Sequence, residues 1–145
     1  MADLPVFLIP KDRIPPPACR LVVLVPGERV DEYRLGRLVW ELALQGSCEV
    51  LYLSVVHTPG EELEVSRRLS KLASVTKDPR LQVRTHIQFG SSWPEIVRRV
   101  SMPGDRILCL EDQVVRRWGV WKRPLARWVT DVLKAPVYVL GREFH

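Results

Sequence analysis

The chain has 145 residues, is 46% hydrophobic and 27% charged, and carries a formal net charge of +5 at pH 7. This length suits one domain with a substantial core, and the composition is that of an ordinary soluble globule. No apolar run approaches the ~20 residues that span a bilayer. The early acid Asp3 and the short run Leu4–Ile9 do not make a secretory leader, so cytoplasmic residence is expected.

Residues 1–19 read as an extended arm, because Pro5, Pro10 and Pro15–Pro17 oppose a helix. Within the arm, Val6–Ile9 is apolar enough either to add a short edge strand or to cover apolar surface. Leu21–Val25 is a continuously apolar strand. Asp31–Gln45 is helical, with Leu35, Leu38, Val39 and Leu42 on one stripe and Gly46 as the stop. Glu49–Val56 is a second strand. Glu61–Val75 is a helix with Val65, Leu69, Leu72 and Ala73 as its stripe. Leu81–Gln88 alternates more than the others and reads as an edge strand.

A short helix follows over Pro94–Val100, with Ser91 or Ser92 as its cap and proline in the first turn. Arg106–Leu110 is the fourth strand. A loop then carries Arg116, Arg117, Trp118, Trp121, Lys122 and Arg123. Pro124–Leu133 is the last helix, with Leu125, Trp128, Val129, Val132 and Leu133 on one face. Val137–Leu140 is the last strand, and residues 142–145 form a tail.

Five strands thus alternate with four helices over residues 20–141. Continuous apolar strands are covered on both faces, and the alternation implies a parallel sheet with right-handed crossovers. The predicted class is a single-domain, doubly wound α/β fold with helices on both faces of a five-stranded sheet.

The three cysteines, Cys19, Cys48 and Cys109, are widely spaced and lack a C-x-x-C pattern or a nearby histidine pair. This spacing argues against a disulfide framework and against zinc. Cys109 lies within ILCL and reads as a buried, inert thiol. His57, His86 and His145 stand alone, with no nucleophile elbow or metal-ligand spacing around them. No enzyme activity and no metal are expected.

Charge is unevenly spread. Residues 113–130 hold Arg116, Arg117, Lys122, Arg123 and Arg127 and no acid. Cations interleaved with indoles grip phosphates while stacking on bases, meet anionic lipid at a membrane surface, or anchor a protein interface. They also cover a core structurally, with Trp118 and Trp121 as its cap. Glu28, Glu111 and Asp112 fall at the carboxyl ends of the first and fourth strands, where open α/β sheets hold ligands. Solvated turn acids are the plainer account of them.

Three segments carry a family resemblance. LVVLVPGE from Leu21, Phe89-Gly90 followed by Trp93-Pro94-Glu95-Ile96, and Leu125-Ala126 with Val129 and Pro136–Leu140 together resemble the universal stress protein family. The resemblance spans residues 20–141. It implies the adenine nucleotide alpha hydrolase-like sheet order 3-2-1-4-5 and a homodimer joined through the last strand, Val137, Tyr138, Val139 and Leu140. An apolar edge of that kind invites a second copy.

ATP-binding members of that family carry Gly, two residues, Gly, nine residues, then Gly and Ser or Thr after strand four. The glycines admit phosphates close to the backbone. Ungapped alignment from Pro136 puts Leu110, Gln113, Arg123 and Pro124 at those positions. Pro26 stands where the family's Asp follows strand one. ATP in the usual mode is therefore not expected, and no cofactor is predicted. The leading expectation is a non-enzymatic, dimeric stress-response or signalling module. The alternative is a nucleotide or anionic-ligand binder using the Arg/Trp/Lys loop. A protein partner at that loop and association with a membrane surface or transporter remain open, and nucleic acid is not expected.

Overall fold

A computed structural model of the chain describes residues 19–26, 30–90, 92–110, 114–117 and 121–141. In chain order the elements are β1 (Cys19–Val25), α1 (Glu32–Gly46), β2 (Cys48–Val56), a 3-10 turn (Pro59–Glu61), α2 (Glu62–Thr76), β3 (Val83–Phe89), α3 (Trp93–Val100), β4 (Asp105–Leu110), β5 (Val114–Arg117), β6 (Trp121–Pro124), α4 (Leu125–Leu133) and β7 (Val137–Leu140).

Five strands pair in parallel in the order β3-β2-β1-β4-β7, while β5 and β6 form a separate antiparallel pair. With that hairpin set aside, the sheet has the expected order 3-2-1-4-5. β1 is covered on both faces because its residues alternate between two apolar layers. Leu21, Val23 and Val25 join Val50, Tyr52, Val56, Leu108 and Leu110 beneath Leu35 and Val39 of α1 and Leu69 and Leu72 of α2. Val22 and Leu24 join Leu53, Ile107 and Cys109 against Ile96 and Val97 of α3 and Leu125 and Val129 of α4. Each such Leu, Ile or Val taken out of water contributes roughly 1.5–3 kcal/mol. The outermost strand β3 lies at one sheet edge and is mostly exposed, as its alternating sequence implied.

Helix α1 begins where Asp31 accepts a hydrogen bond from the Arg34 amide at 3.1 Å, satisfying one of the orphan donors of the first turn. Its stop differs from expectation. Ser47, at φ 53° and ψ 41°, takes the left-handed position, and Gly46 is the last helical residue. The glycine serves close approach instead. A Cβ there would lie 2.8 Å from Arg106 Nη1 and 3.2 Å from Cys48 Sγ. Gly36 likewise admits α2, since a Cβ on it would meet Val75 Cγ1 at 2.6 Å.

Among the described residues, buried side-chain polar atoms are paired. The Tyr52 hydroxyl meets Thr76 Oγ1, which also donates to Leu72 O at 2.8 Å, tying β2 to α2. Burial holds the Tyr52 phenol far above its ordinary pKa. On the neighbouring strands, Arg20 binds Asp105 through Nε–Oδ1 at 3.1 Å and Nη2–Oδ2 at 2.6 Å. Arg20 Nη2 also donates to Val100 O, and the Met102 amide donates to Asp105 Oδ2.

The cysteines correct the sequence reading. Cys19 and Cys48 are direct partners in the β1–β2 register, with Cα atoms 4.5 Å apart, and they form a disulfide. Their 29-residue separation concealed this, because only the sheet register brings the two strand starts together. Cys109 is buried as expected, and burial pushes its thiol up to about 12.

Candidate functional site

The sheet order places a topological switch between β1 and β4, because the chain runs from β1 towards β2 on one side and reaches β4 only after β3. A crevice forms at the carboxyl ends of such strands. On the β1 side this end is closely built. Pro26 is buried, and the carbonyl before it, Val25 O, accepts from Ser54 Oγ at 2.9 Å. Arg68, only 8% exposed, reaches over from α2 and donates through Nη1 to Pro26 O at 3.2 Å. Its Nη2 lies 3.6 Å from Glu64 Oε1. Sequence reasoning overlooked Arg68. Its only signal was an arginine beside Leu69, at the margin of an apolar stripe.

On the β4 side, Leu110 ends the strand, is 2% exposed and stands in register with Leu140. The chain then enters a hairpin where the sequence suggested a loop. β5 and β6 pair with Val114 opposite Pro124, Val115 opposite Arg123, Arg116 opposite Lys122 and Arg117 opposite Trp121. The β-branched Val114 and Val115 and the aromatic Trp121 favour this extended state over an irregular one. Helix α4 follows directly and contacts both hairpin strands.

This register brings together five of the residues singled out in the sequence: Arg116, Arg117, Trp121, Lys122 and Arg123. Arg116 and Lys122 occupy directly opposed positions in the register. Glu28, Glu111, Asp112, Gln113 and Trp118 lie outside the described residues. Arg123 and Pro124, two positions that the resemblance equates with a phosphate-binding glycine and hydroxyl, are strand residues of β6.

β7 lies at the edge of the sheet beyond β4. Val139 is 52% exposed, and Val137, Tyr138 and Leu140 are half-buried. Among the described residues, β7 pairs only with β4. A shallow groove bordered by Met102, Gly104, Lys134 and Pro136 opens at the other end of the sheet, by the start of β4, away from the switch point.

The two described histidines do not converge, and His145 lies outside the described residues. His57 is exposed, and His86 Nε2 is 3.0 Å from Gln88 Oε1 on the same exposed strand. Among the described residues there is no group of three His, Cys, Asp or Glu that could hold a metal ion, and no helix long and apolar enough to cross a membrane. Asp78 is held well below the usual carboxylate range, chiefly by hydrogen bonding to Arg80 and further by the Trp40 indole. It sits at the turn after α2, remote in sequence from both the hairpin and β7.

No protein-family model matches the sequence, and no curated protein matches it. Solved structures do. A universal stress protein from Archaeoglobus fulgidus is 20% identical and superposes with a TM-score of 0.57, covering 83% of this chain and 92% of that one. A macrolide-efflux protein from Streptococcus pneumoniae is 16% identical, with a TM-score of 0.53. The match covers 90% of this chain and 47% of that one, so this chain spans about half its length. The universal stress protein UspA from Lactobacillus plantarum is 18% identical over 85% of this chain and 99% of that one, with a TM-score of 0.49. At these identities the likeness is one of fold: a universal stress protein-like, five-stranded parallel α/β sheet.

Proposed function

We propose that this chain is a non-enzymatic, dimeric universal stress protein-like module that acts in stress response or signalling in the cytoplasm. The observation that carries the reading is the edge strand β7. It offers an apolar row, with Val139 52% exposed, and an outer edge unpaired among the described residues. Such an edge is completed at low cost by antiparallel pairing with a second copy across a two-fold axis. Val137, Tyr138, Val139 and Leu140 form that interface. ATP held in the family's usual mode is no part of the function, since buried Leu110 and the strand residues Arg123 and Pro124 occupy the positions where glycines and a hydroxyl would be needed.

Sedimentation velocity tests the dimer. The wild-type chain is expected to sediment as a dimer at tens of micromolar, about the range in which a weak dimer forms. Val139→Lys is expected to sediment as a monomer with its fold unchanged by circular dichroism. An exposed substitution of this kind alters monomer stability by no more than about 0.5 kcal/mol. A monomeric wild type overturns the reading.

The hairpin register favours a second reading. Four cationic residues, Arg116, Arg117, Lys122 and Arg123, share this short register with Trp121, a residue set that suits an anionic partner. Glu28, Glu111 and Asp112, which follow β1 and β4 in the sequence, are the acids assigned to the same ligand in this reading. In a thermal-shift series with ATP, AMP, cyclic nucleotides and cyclic dinucleotides, a ligand at 100 times its dissociation constant stabilises the fold by ~2.7 kcal/mol. Lys122→Ala with Arg123→Ala is expected to abolish the shift. A flat response from nucleotide-free protein removes nucleotides from this reading. A protein surface or a membrane-associated transporter then remains as the partner of the hairpin.

A further inference from the structure

The second cluster of reactive groups lies at the opposite end of the sheet from the hairpin. Cys19 opens β1, Cys48 opens β2, and their sulfurs meet across the parallel register. Both point into the layer beneath α1 and α2, but they differ in access: Cys19 is partly exposed, whereas Cys48 is 3% exposed. The site is also built for the reduced state. Cys19 Sγ lies 3.6 Å and Cys48 Sγ 3.7 Å from the carbonyl oxygen of Gly46, so each thiol has a hydrogen-bond acceptor once the disulfide opens. The absence of a side chain at Gly46 lets Arg106 Nη1 and Cys48 Sγ approach the same point. The thiolate is the form that performs disulfide exchange.

We propose that Cys19 and Cys48 form a reversible redox site that couples the starts of β1 and β2, exchanging with low-molecular-weight thiols and disulfides of the glutathione class. The thiolate of one reductant molecule attacks the accessible Cys19 sulfur. The S–S bond breaks, a mixed disulfide forms on Cys19, and Cys48 leaves as a thiolate that takes up a proton. A second reductant thiolate attacks the reductant sulfur of the mixed disulfide. Cys19 departs as a thiolate and is protonated, and the two reductant molecules end as one disulfide. Oxidation is the reverse, with glutathione disulfide as the two-electron acceptor. The third cysteine takes no part, since Cys109 is buried on the opposite face of the sheet. The site is independent of dimerisation through β7.

The test uses the full chain in glutathione buffers that range from fully reduced to fully oxidised. Quenching with a maleimide and mass spectrometry then counts free thiols. In reduced buffer the folded protein is expected to take two labels, with Cys19 labelled faster than Cys48. In oxidised buffer it is expected to take none, and the change should reverse when the buffer is exchanged. Cys109 is expected to label only after denaturation in either buffer. Cys19→Ser should abolish the transition, and Cys109→Ser should preserve it. Two free thiols at every ratio would overturn the proposal, as would a disulfide that folded protein never opens under excess dithiol. A transition that survives in Cys19→Ser would overturn it too. The thermal midpoint supplies a readout separate from labelling. Reduction should lower it in the wild type and leave it unchanged in Cys19→Ser, and an equal midpoint in both wild-type states would count against a covalent clamp.

Discussion

Arg20→Ala is expected to destabilise the fold by ~3–5 kcal/mol, the usual cost of stranding one member of a buried ion pair. Asp105 is 4% exposed and accepts from both Nε and Nη2 of Arg20, so removing the arginine leaves a buried carboxylate that keeps the Met102 amide as a donor. The Val100 carbonyl loses its donor in the same change. For a chain of this size the loss corresponds to a fall in thermal midpoint of about 10 °C or more. Arg20→Lys keeps the charge but not the fork and should fall between wild type and alanine. Replacing both partners with apolar residues, Arg20→Met with Asp105→Leu, should recover part of the loss, because no charge is then stranded. Urea melts of the four proteins decide the matter. An Arg20→Ala midpoint within error of wild type would show that solvent reaches Asp105.

Ile107→Ala should cost ~2–5 kcal/mol through lost burial and the cavity left behind. Ile107 is fully buried in the middle of β4, in the layer that packs on α3 and α4. The same residue is in register with Val22 of β1 and Val137 of β7, and its amide donates to Pro136 O at 2.9 Å. Its loss therefore loosens the strand that carries both candidate surfaces, the hairpin and the β7 edge. Hydrogen exchange measured alongside the urea melt is expected to show protection falling first in β4 and β7. Uniform loss across the sheet would mean that these strands do not open separately from β2 and β3.

The sheet was legible because its strands are apolar without interruption. LVVLV and EVLYLSVV have no polar face, and this requires cover on both sides. The helices were legible from stripes such as Val65, Leu69 and Leu72, all buried. The hairpin was not, since four-residue strands rich in arginine carry no period long enough to separate them from a loop. The disulfide was hidden for a different reason. Pairing of Cys19 with Cys48 is a fact of register between two strands, and spacing along the chain does not encode register. In the candidate site, the cationic residues were visible as types in the sequence, but the opposition of Arg116 and Lys122 required the antiparallel pairing. Arg68 escaped notice because a buried arginine looks like a surface arginine until the turn that it supports is seen.

The place of β1 in the sheet governs how the chain assembles during synthesis. β1 is made first, yet one of its flanks waits for β4, and Arg20 waits for a partner 85 residues downstream. At ~5–20 residues per second this interval lasts roughly 4–17 s on a ribosome. Meanwhile β1, β2 and β3 can pair with α1 and α2 docked on one face, leaving Val22, Leu24 and Leu53 of the other face uncovered. The nascent chain thus carries a half-built sheet with an apolar face and an open edge, the form of intermediate that chaperones bind.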